Sequence, residues 1–283
     1  AVEVELCAAV KERAQLNFLA SYSRRLFSTV SSADEYSVTV TSLEVPRSAL
    51  VFEGLLGSGN YGELRVARIK ESLVRSTAIN NPHFTMQGGD QATTFSKASA
   101  GGELKVAVKT RLPTEMDAAV DEALLIEGLV LHAVQHQRVL RLVGICTTRL
   151  PVMILTELMV NGDLKAYLRA CRPEQPNPKA TLTLLEVIVI VERTCAALAH
   201  LESVQVIHRD VAARNVLVGI NPTDVKLGDL GAARSVFRLA DKTYVAKTDH
   251  NPARWMAPES LLAATFTNKT DVWGFGVLCW EVT

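Results

Sequence analysis

Val106-Ala107-Val108-Lys109 puts Ala107 and Lys109 on one face of a strand, two residues apart. If that face lines a cleft, the small Ala107 can lie against a flat base while Lys109 reaches phosphate oxygens. A lysine in a cleft needs a counter-charge. Glu127 fits, because Leu124, Glu127 and Leu131 share one helical face. Glu122 is the rival, but five residues at about 100° each turn it about 140° away from Glu127, so only one of them can face Lys109. Upstream, Gly57-Ser58-Gly59-Asn60-Tyr61-Gly62 has GxGxxG spacing. Lacking a Cβ, such glycines let backbone N–H groups approach phosphates. A dinucleotide-binding fold needs a helix immediately after this loop. Here Leu64 and Val66 alternate with Glu63 and Arg65, which predicts a strand and a glycine hairpin, and sets a dinucleotide-dependent oxidoreductase aside.

The sharpest signal is His208-Arg209-Asp210-Val211-Ala212-Ala213-Arg214-Asn215. The pattern HRDxxxxN arises by chance in roughly two of a thousand chains of this length. Asp229-Leu230-Gly231 and then Ala257-Pro258-Glu259 follow. With the glycine loop and the VAVK strand, this ordered set resembles the protein kinases, over residues from about Glu44 to Thr283. The finer letters resemble tyrosine kinases: Ala212 stands where serine/threonine kinases carry a lysine, Arg214 follows, and Pro252-Ala253-Arg254-Trp255-Met256 looks like the tyrosine-selective peptide platform. The AARN order resembles receptor-type enzymes. The run Glu157-Leu158-Met159 through Gly162-Asp163-Leu164-Lys165 to Leu168-Arg169, together with EVPR at Glu44 to Arg47, is similar to insulin-receptor-like kinases.

The resemblance implies a division of labour. Leu56 and the lid Gly57, Ser58, Gly59, Asn60, Tyr61 and Gly62 would cover the phosphates of ATP, and Lys109, paired to Glu127, would hold the α- and β-phosphates. Asn215 and Asp229 would bind Mg2+. Asp210 would accept or orient the substrate hydroxyl, with Arg214 beside it. Thr156 would be the gatekeeper next to adenine, Glu157 to Met159 the hinge, and Leu64, Ala107 and Leu217 the sandwich around the base. Tyr244 is the only tyrosine between Asp229 and Glu259, which makes it the expected autophosphorylation site, with Arg209 as partner of the added charge; Tyr36 is a second candidate. The implied partners are tyrosine-bearing protein substrates and a second copy for trans-autophosphorylation.

The elements that must position these groups follow from pattern. Residues 1 to about 46 read as an appendage, loosely helical to Phe27 and Ser/Thr-rich from Ser28 to Ser42, solvated in the plainer reading. Residues 47–156 read as a β-rich lobe: strands at Val51 to Leu56 and about Leu104 to Val108, a polar surface insertion at about 71–102, and a helix from Thr114, as cap, to about Val134. Short strands are expected at Val139 to Gly144 and Val152 to Thr156. Residues 157–283 read as a helix-dominated lobe, with a long helix over Leu182 to His200. The expected fold class is α+β: two lobes, the smaller with one main helix, the larger mainly helical.

Composition narrows the partners. Thirty Lys+Arg balance thirty Asp+Glu, so nothing favours non-specific nucleic-acid binding. Five scattered cysteines without a CxxC pair fit neither a disulfide framework nor a zinc site. No run of 18 apolar residues occurs, so a membrane would be reached only through a segment outside this chain, and the expected location is the cytoplasmic face of the plasma membrane, as part of a receptor, or otherwise the cytoplasm.

Some positions depart from the family pattern. Leu230 replaces the usual Phe, Leu64 replaces Val, and the spacing from Gly62 to Lys109 is long because of the insertion. The chain stops at Thr283, inside the helix beginning near Asp271, so the larger lobe is expected to be incomplete. The alternative to catalysis is a pseudokinase or scaffold module. Lys109, Glu127, Asp210, Asn215 and Asp229 are all present, which favours catalysis.

Overall fold

Alternation over Glu103–Thr110 sends Leu104, Val106 and Val108 to one side of a strand and Ala107 and Lys109 to the other, and the rest of the first half is built around that strand. The computed structural model describes residues 2–21, 42–59, 62–70, 72–73, 102–112, 117–236, 239, 241–246 and 253–283. Tyr36, Asn60, Tyr61, Thr114, Pro252 and nearly all of the 71–102 insertion lie outside them. The described residues fall into two units, one within Ala1–Leu19, Phe27–His132 and Arg141–Leu158, the other within Ala20–Leu26, Ala133–Leu140 and Met159–Thr283.

The first unit opens with α1 (Val2–Ser21). Cys7, Val10 and Ala14 form a buried stripe at helical spacing, so the plainer reading of a solvated tail does not hold for this helix. A five-stranded antiparallel sheet follows: β1 (Val51–Gly59), β2 (Gly62–Lys70), β3 (Glu103–Thr110), β4 (Leu142–Cys146) and β5 (Met153–Glu157), in the order β1-β2-β3-β5-β4. Between β3 and β4 runs α2 (Ala118–Ala133). One face of the sheet buries Ala67, Ile69, Leu104, Val106, Val108 and Leu155 with Val45 and Leu50.

The helix expected from Thr114 begins at Ala118. Asp117 caps it, its carboxylate accepting the Ala119 N–H at 2.8 Å. The EVPR segment is bound to the sheet. Glu44 accepts the N–H groups of Thr147 (2.8 Å) and Thr148 (3.1 Å) and the Thr147 hydroxyl (2.5 Å). Arg47 donates to the carbonyls of Arg149, Leu150 and Pro151.

The second unit holds α3 (Leu164–Ala170), α4 (Leu184–Ser203), α5 (Pro258–Ala263) and α6 (Asn268–Val282). Thr183 and Glu186 form a reciprocal capping box at the start of α4, which explains its sharp onset. Three two-stranded sheets join these helices: β6 (Val206–Ile207) with β9 (Arg234–Ser235), β7 (Val216–Val218) with β8 (Val225–Leu227), and β10 (Tyr244–Val245) with β11 (Thr265–Phe266). Helices account for most of the regular structure of this half, as expected, and the strands between them, two or three residues long, are too short to show a period. The α+β class holds. Among the described residues no helix is long and apolar enough to cross a membrane, and none of the five cysteines is in a disulfide.

Candidate active site

In the first unit the glycine loop is the tip of the β1–β2 hairpin, Gly59 pairing with Gly62, and a strand follows it. The register shifts between Leu55 and Gly57, which places Leu56 at an irregularity of the edge strand, half exposed. The glycines differ in what they do. A Cβ on Gly57 would meet nothing within 4 Å, and Ser58 beside it is exposed. Gly62 has φ +138°, and a Cβ there would stand 2.1 Å from the Thr110 carbonyl oxygen. Gly62 is thus dictated by β3 itself, while Gly57 leaves open space.

Register then assembles one face. Leu64 pairs with Lys109 and Lys109 with Ile154; Val66 pairs with Ala107 and Ala107 with Thr156. Cross-strand partners share a face, so Leu64, Ala107, Lys109 and Thr156 lie together with Ile154. Helix α2 packs on this same face at Gly128, where a Cβ would be 2.9 Å from Ile154 Cγ2. One residue earlier, Glu127 receives both bonds from Lys109 Nζ, at 2.9 and 2.8 Å. Glu122, the rival, turns to Arg13 of α1 at 3.8 Å.

A second, more deeply buried pair sets the start of α2. Arg111 Nε donates to Asp121 Oδ2 at 2.8 Å, with side chains only 7% and 1% exposed, and Asp121 Oδ1 accepts the Val152 N–H at 2.6 Å. At the end of β5, buried Glu157 donates its N–H to the Arg141 carbonyl (3.1 Å) and accepts the Arg141 N–H through Oε1 (2.8 Å).

In the second unit the loop after β6 is a dense polar network. Asp210 carries two clamps on its carboxylate: Arg214 donates to Oδ1, and Asn215 Nδ2 donates to Oδ2 at 2.8 Å and to the Asp210 carbonyl at 2.7 Å. Both hydrogens of the Asn215 amide are thereby used, leaving Oδ1 as its acceptor. Arg214 lies 4.4 Å from the centroid of the Trp255 ring. His208, fully buried, accepts the Asp210 N–H at Nδ1 (3.2 Å) and so bears its proton on Nε2, which donates to the Gly228 carbonyl at 3.0 Å. Gly228 N–H in turn donates to the Asn215 carbonyl at 2.8 Å.

Asp229 follows at φ 55° and Arg209 stands at φ 73°, both left-handed and neither glycine. Such conformations persist only where surrounding structure holds them, and they concentrate at working sites. Arg209 is held by Asp271 of α6, whose carboxylate accepts the N–H groups of His208 (2.7 Å) and Arg209 (2.8 Å). Burial pushes the Asp271 carboxyl up to about 6, against the pull of His208 and Arg209.

The remaining expected residues of this unit are close by in the fold. Leu217 lies in β7 opposite Lys226, over Gly228. Met159 is buried, its carbonyl accepting the Gly162 N–H at 3.1 Å. Tyr244 pairs with Phe266, and the Arg209 guanidinium stacks over both rings, 4.9 and 4.3 Å from their centroids. Arg234 reaches the Tyr244 ring at 5.9 Å.

Sequence reasoning passed over Asp271, Glu281 and the Arg111–Asp121 pair. The signal for the last was a charged residue at the very end of a buried strand; the two α6 carboxylates carry no spacing relation to the loop they hold. Leu230 is fully buried, in keeping with its apolar replacement of Phe.

A sheet whose inward lysine is matched by a helix glutamate, and a loop that clamps an aspartate beside an asparagine, define a protein kinase catalytic domain. Residues 50–283 match the protein tyrosine and serine/threonine kinase family, and the chain belongs to it. It is 37% identical over 243 residues to the tyrosine-protein kinase transforming protein ros of UR2 avian sarcoma virus, covering 83% of this chain and 53% of that protein. Against the human proto-oncogene tyrosine-protein kinase ROS it is 36% identical over 245 residues, 84% of this chain and 9% of that protein. Against the mouse leukocyte tyrosine kinase receptor it is 40% identical over 184 residues, 63% of this chain and 20% of that protein. The chain thus spans about half of the viral relative and a small part of the cellular ones.

Proposed function

We propose that this chain is the catalytic part of a protein-tyrosine kinase, transferring the γ-phosphate of ATP to tyrosine hydroxyls of protein substrates. The observation that carries this reading is the double clamp on Asp210. Arg214 and Asn215 leave its carboxylate one orientation, which suits a group that must meet an incoming hydroxyl rather than a surface charge. The names of the relatives, all tyrosine kinases, support the choice of acceptor.

Each residue then has a task. Lys109, steadied by Glu127, holds phosphate oxygens. Leu56 and the glycine hairpin from Gly57 to Gly62 lie over the phosphates, where the open space at Gly57 admits close backbone approach. Leu64, Ala107 and Leu217 contact the base, Thr156 stands at its edge, and the Glu157 carbonyl and Met159 N–H bond it. Asp210 accepts or orients the phenolic hydroxyl. Magnesium fits the donor set: Asn215 presents a single amide oxygen and the exposed Asp229 a carboxylate, both hard ligands. Among the described residues no group of three or more His, Cys, Asp or Glu could hold a metal, and magnesium needs none, since it keeps waters and phosphate oxygens. When bound, the ion offsets the charge that develops on the transferring phosphoryl group. We further place the chain at the cytoplasmic face of the plasma membrane within a receptor, acting on tyrosine-bearing proteins and on a second copy of itself.

The test is magnesium-dependent transfer of labelled phosphate from ATP to a tyrosine peptide, comparing this chain with Asp210→Asn. Labelling that is lost in the variant is expected; equal labelling in both removes Asp210 from the reaction.

A further inference from the structure

The turn that follows α2 is fastened at two places. At one, it grips β8: the Leu227 N–H donates to the Arg138 carbonyl and the Leu140 N–H to the Leu227 carbonyl, both at 2.8 Å. β8 leads through Gly228 straight to Asp229. At the other, the His136 ring stacks on His200 near the end of α4, with centroids 4.6 Å apart and planes 11° from parallel. α4 packs against β8 as well, so turn, strand and helix form one assembly.

The hydrogen bonds around this stack suit neutral rings. His136 Nδ1 accepts the Arg138 N–H at 3.2 Å, so a proton on that nitrogen would displace a bond inside the turn. His200 Nε2 is buried with no hydrogen-bond partner among the described residues, so a proton there would find no acceptor. Two imidazolium rings at this separation would also repel. The other charges that bear on His136 are cationic too, Arg138 in the turn and Lys226 of β8. Burial first, then His200, Arg138 and Lys226, pushes His136 down to about 4. Burial likewise lowers His200, against the pull of the Val134 carbonyl. His132, one turn earlier on α2, is pushed down to about 4 by burial.

We propose that His136 and His200 form a proton-sensitive latch, which holds the turn on α4 while both rings are neutral and releases it, with β8 ahead of Asp229, when they gain protons. Rings held below their ordinary 6.5 bind protons less readily in the latched chain than in the opened one. The latch is therefore complete above about pH 7 and weakens as pH falls through about 6.5. It lies apart from the residues assigned to phosphoryl transfer and does not depend on their roles.

Hydrogen exchange of the Leu140 and Leu227 amides in the full chain, corrected for the intrinsic effect of pH, reads the opening. Relative to pH 7.5, opening is expected to rise about threefold at pH 6.5. At pH 5.5 the rise should approach a hundredfold, since each ring supplies about a factor of ten there. His136→Asn keeps an acceptor for the Arg138 N–H, and His200→Phe keeps a face for stacking. Each alone should cut the rise at pH 5.5 to about tenfold, and the two together should remove it. His132→Gln should leave the rise intact. A rise that persists in the folded double variant overturns the proposal, as does its loss in His132→Gln. Should the variants fail to fold at pH 7.5, NMR titration of the rings in the parent chain decides. His136 titrating near 4 bears the latch out; either ring titrating near its ordinary value while the Leu227 amide stays protected overturns it.

Discussion

Gly128 and Ile154 approach each other as closely as a helix and a sheet can: a single added carbon on Gly128 would sit 2.9 Å from Ile154 Cγ2. Ile154 is the cross-strand neighbour of Lys109, and Gly128 is the neighbour in sequence of Glu127. The charge pair of the first unit is therefore set by an apolar contact beside it. Gly128→Ala forces α2 away from the sheet. Overpacking of this kind costs about 1–3 kcal/mol, more than the ~1 kcal/mol that alanine gains over glycine within a helix. Thermal unfolding is expected to show net destabilisation, and peptide phosphorylation should fall with it. A stabilised, fully active Gly128→Ala would mean that the helix has room to spare.

Lys109→Met removes a phosphate ligand without removing much stability. The Lys109 side chain is 31% exposed, so solvent screens the pair and its loss costs about 1 kcal/mol or less. Transfer to a tyrosine peptide, by contrast, should drop by a factor on the order of a hundred or more. Calorimetry together with a phosphorylation assay separates the two effects; a large stability loss with activity retained would reverse the assignment.

Asp271 should leave a mark on the pH dependence of stability. Its folded value is pushed up to about 6 from an ordinary 3.8. The folded chain thus binds this proton more tightly than the unfolded chain. The stability it contributes is complete below about pH 4 and is lost as pH rises through about 6, a swing of about 3 kcal/mol. Asp271→Asn should flatten that slope in urea unfolding between pH 4 and 7. Near pH 4 the variant should be less stable by about 1–3 kcal/mol, because one of the two N–H groups loses its acceptor, and that deficit should vanish or reverse by pH 7 as the parent chain loses its own Asp271 contribution. Identical slopes in both proteins would show that another group titrates there.

Tyr244 lies under Arg209 and within reach of Arg234, so a phosphate added to its ring would gain two guanidinium partners. A phosphopeptide map of the ATP-treated chain is expected to contain Tyr244, and Arg234→Gln should speed removal of that phosphate by a phosphatase. A map in which Tyr244 stays unmodified counts against the site.

Glu44 serves three donors at the end of β4, at Thr147 and Thr148. Glu44→Ala strands them, and a loss of about 2 kcal/mol is expected in denaturant unfolding. The m-value should not change, because the chain stays folded up to the transition.

Much of this was legible in the residues. The alternation over Glu103 to Thr110 names the Lys109 face directly, and a rotation of about 140° along the helix separates Glu127 from Glu122 before any coordinate is known. The strand after Gly62 was readable for the same reason, since Leu64 and Val66 alternate with charges. The short strands β6 to β11 were not, because two residues have no period. Asp117 caps the helix that begins at Ala118, while Thr114, the cap suggested by the spacing, lies outside the described residues. The tail helix was read as solvated because the stripe it buries among the described side chains, Cys7, Val10 and Ala14, is short.

What the sequence by itself determined is the chemistry at hand: which side chains bear the charge, the amide or the glycine, and on which face of a strand or helix each of them falls. These follow from local steric periods and from groups that lie within a few residues of one another. What only tertiary structure decided is which of them are held still. Asp271 and Glu281 act on His208, Arg209 and Ala213 from more than sixty positions away along the chain, and Gly62 is a glycine because the Thr110 carbonyl occupies the space beside it. Hydrogen bonds and excluded volume act over distances of a few ångströms in space, whatever the separation in sequence, so no period or motif in the chain could have announced them.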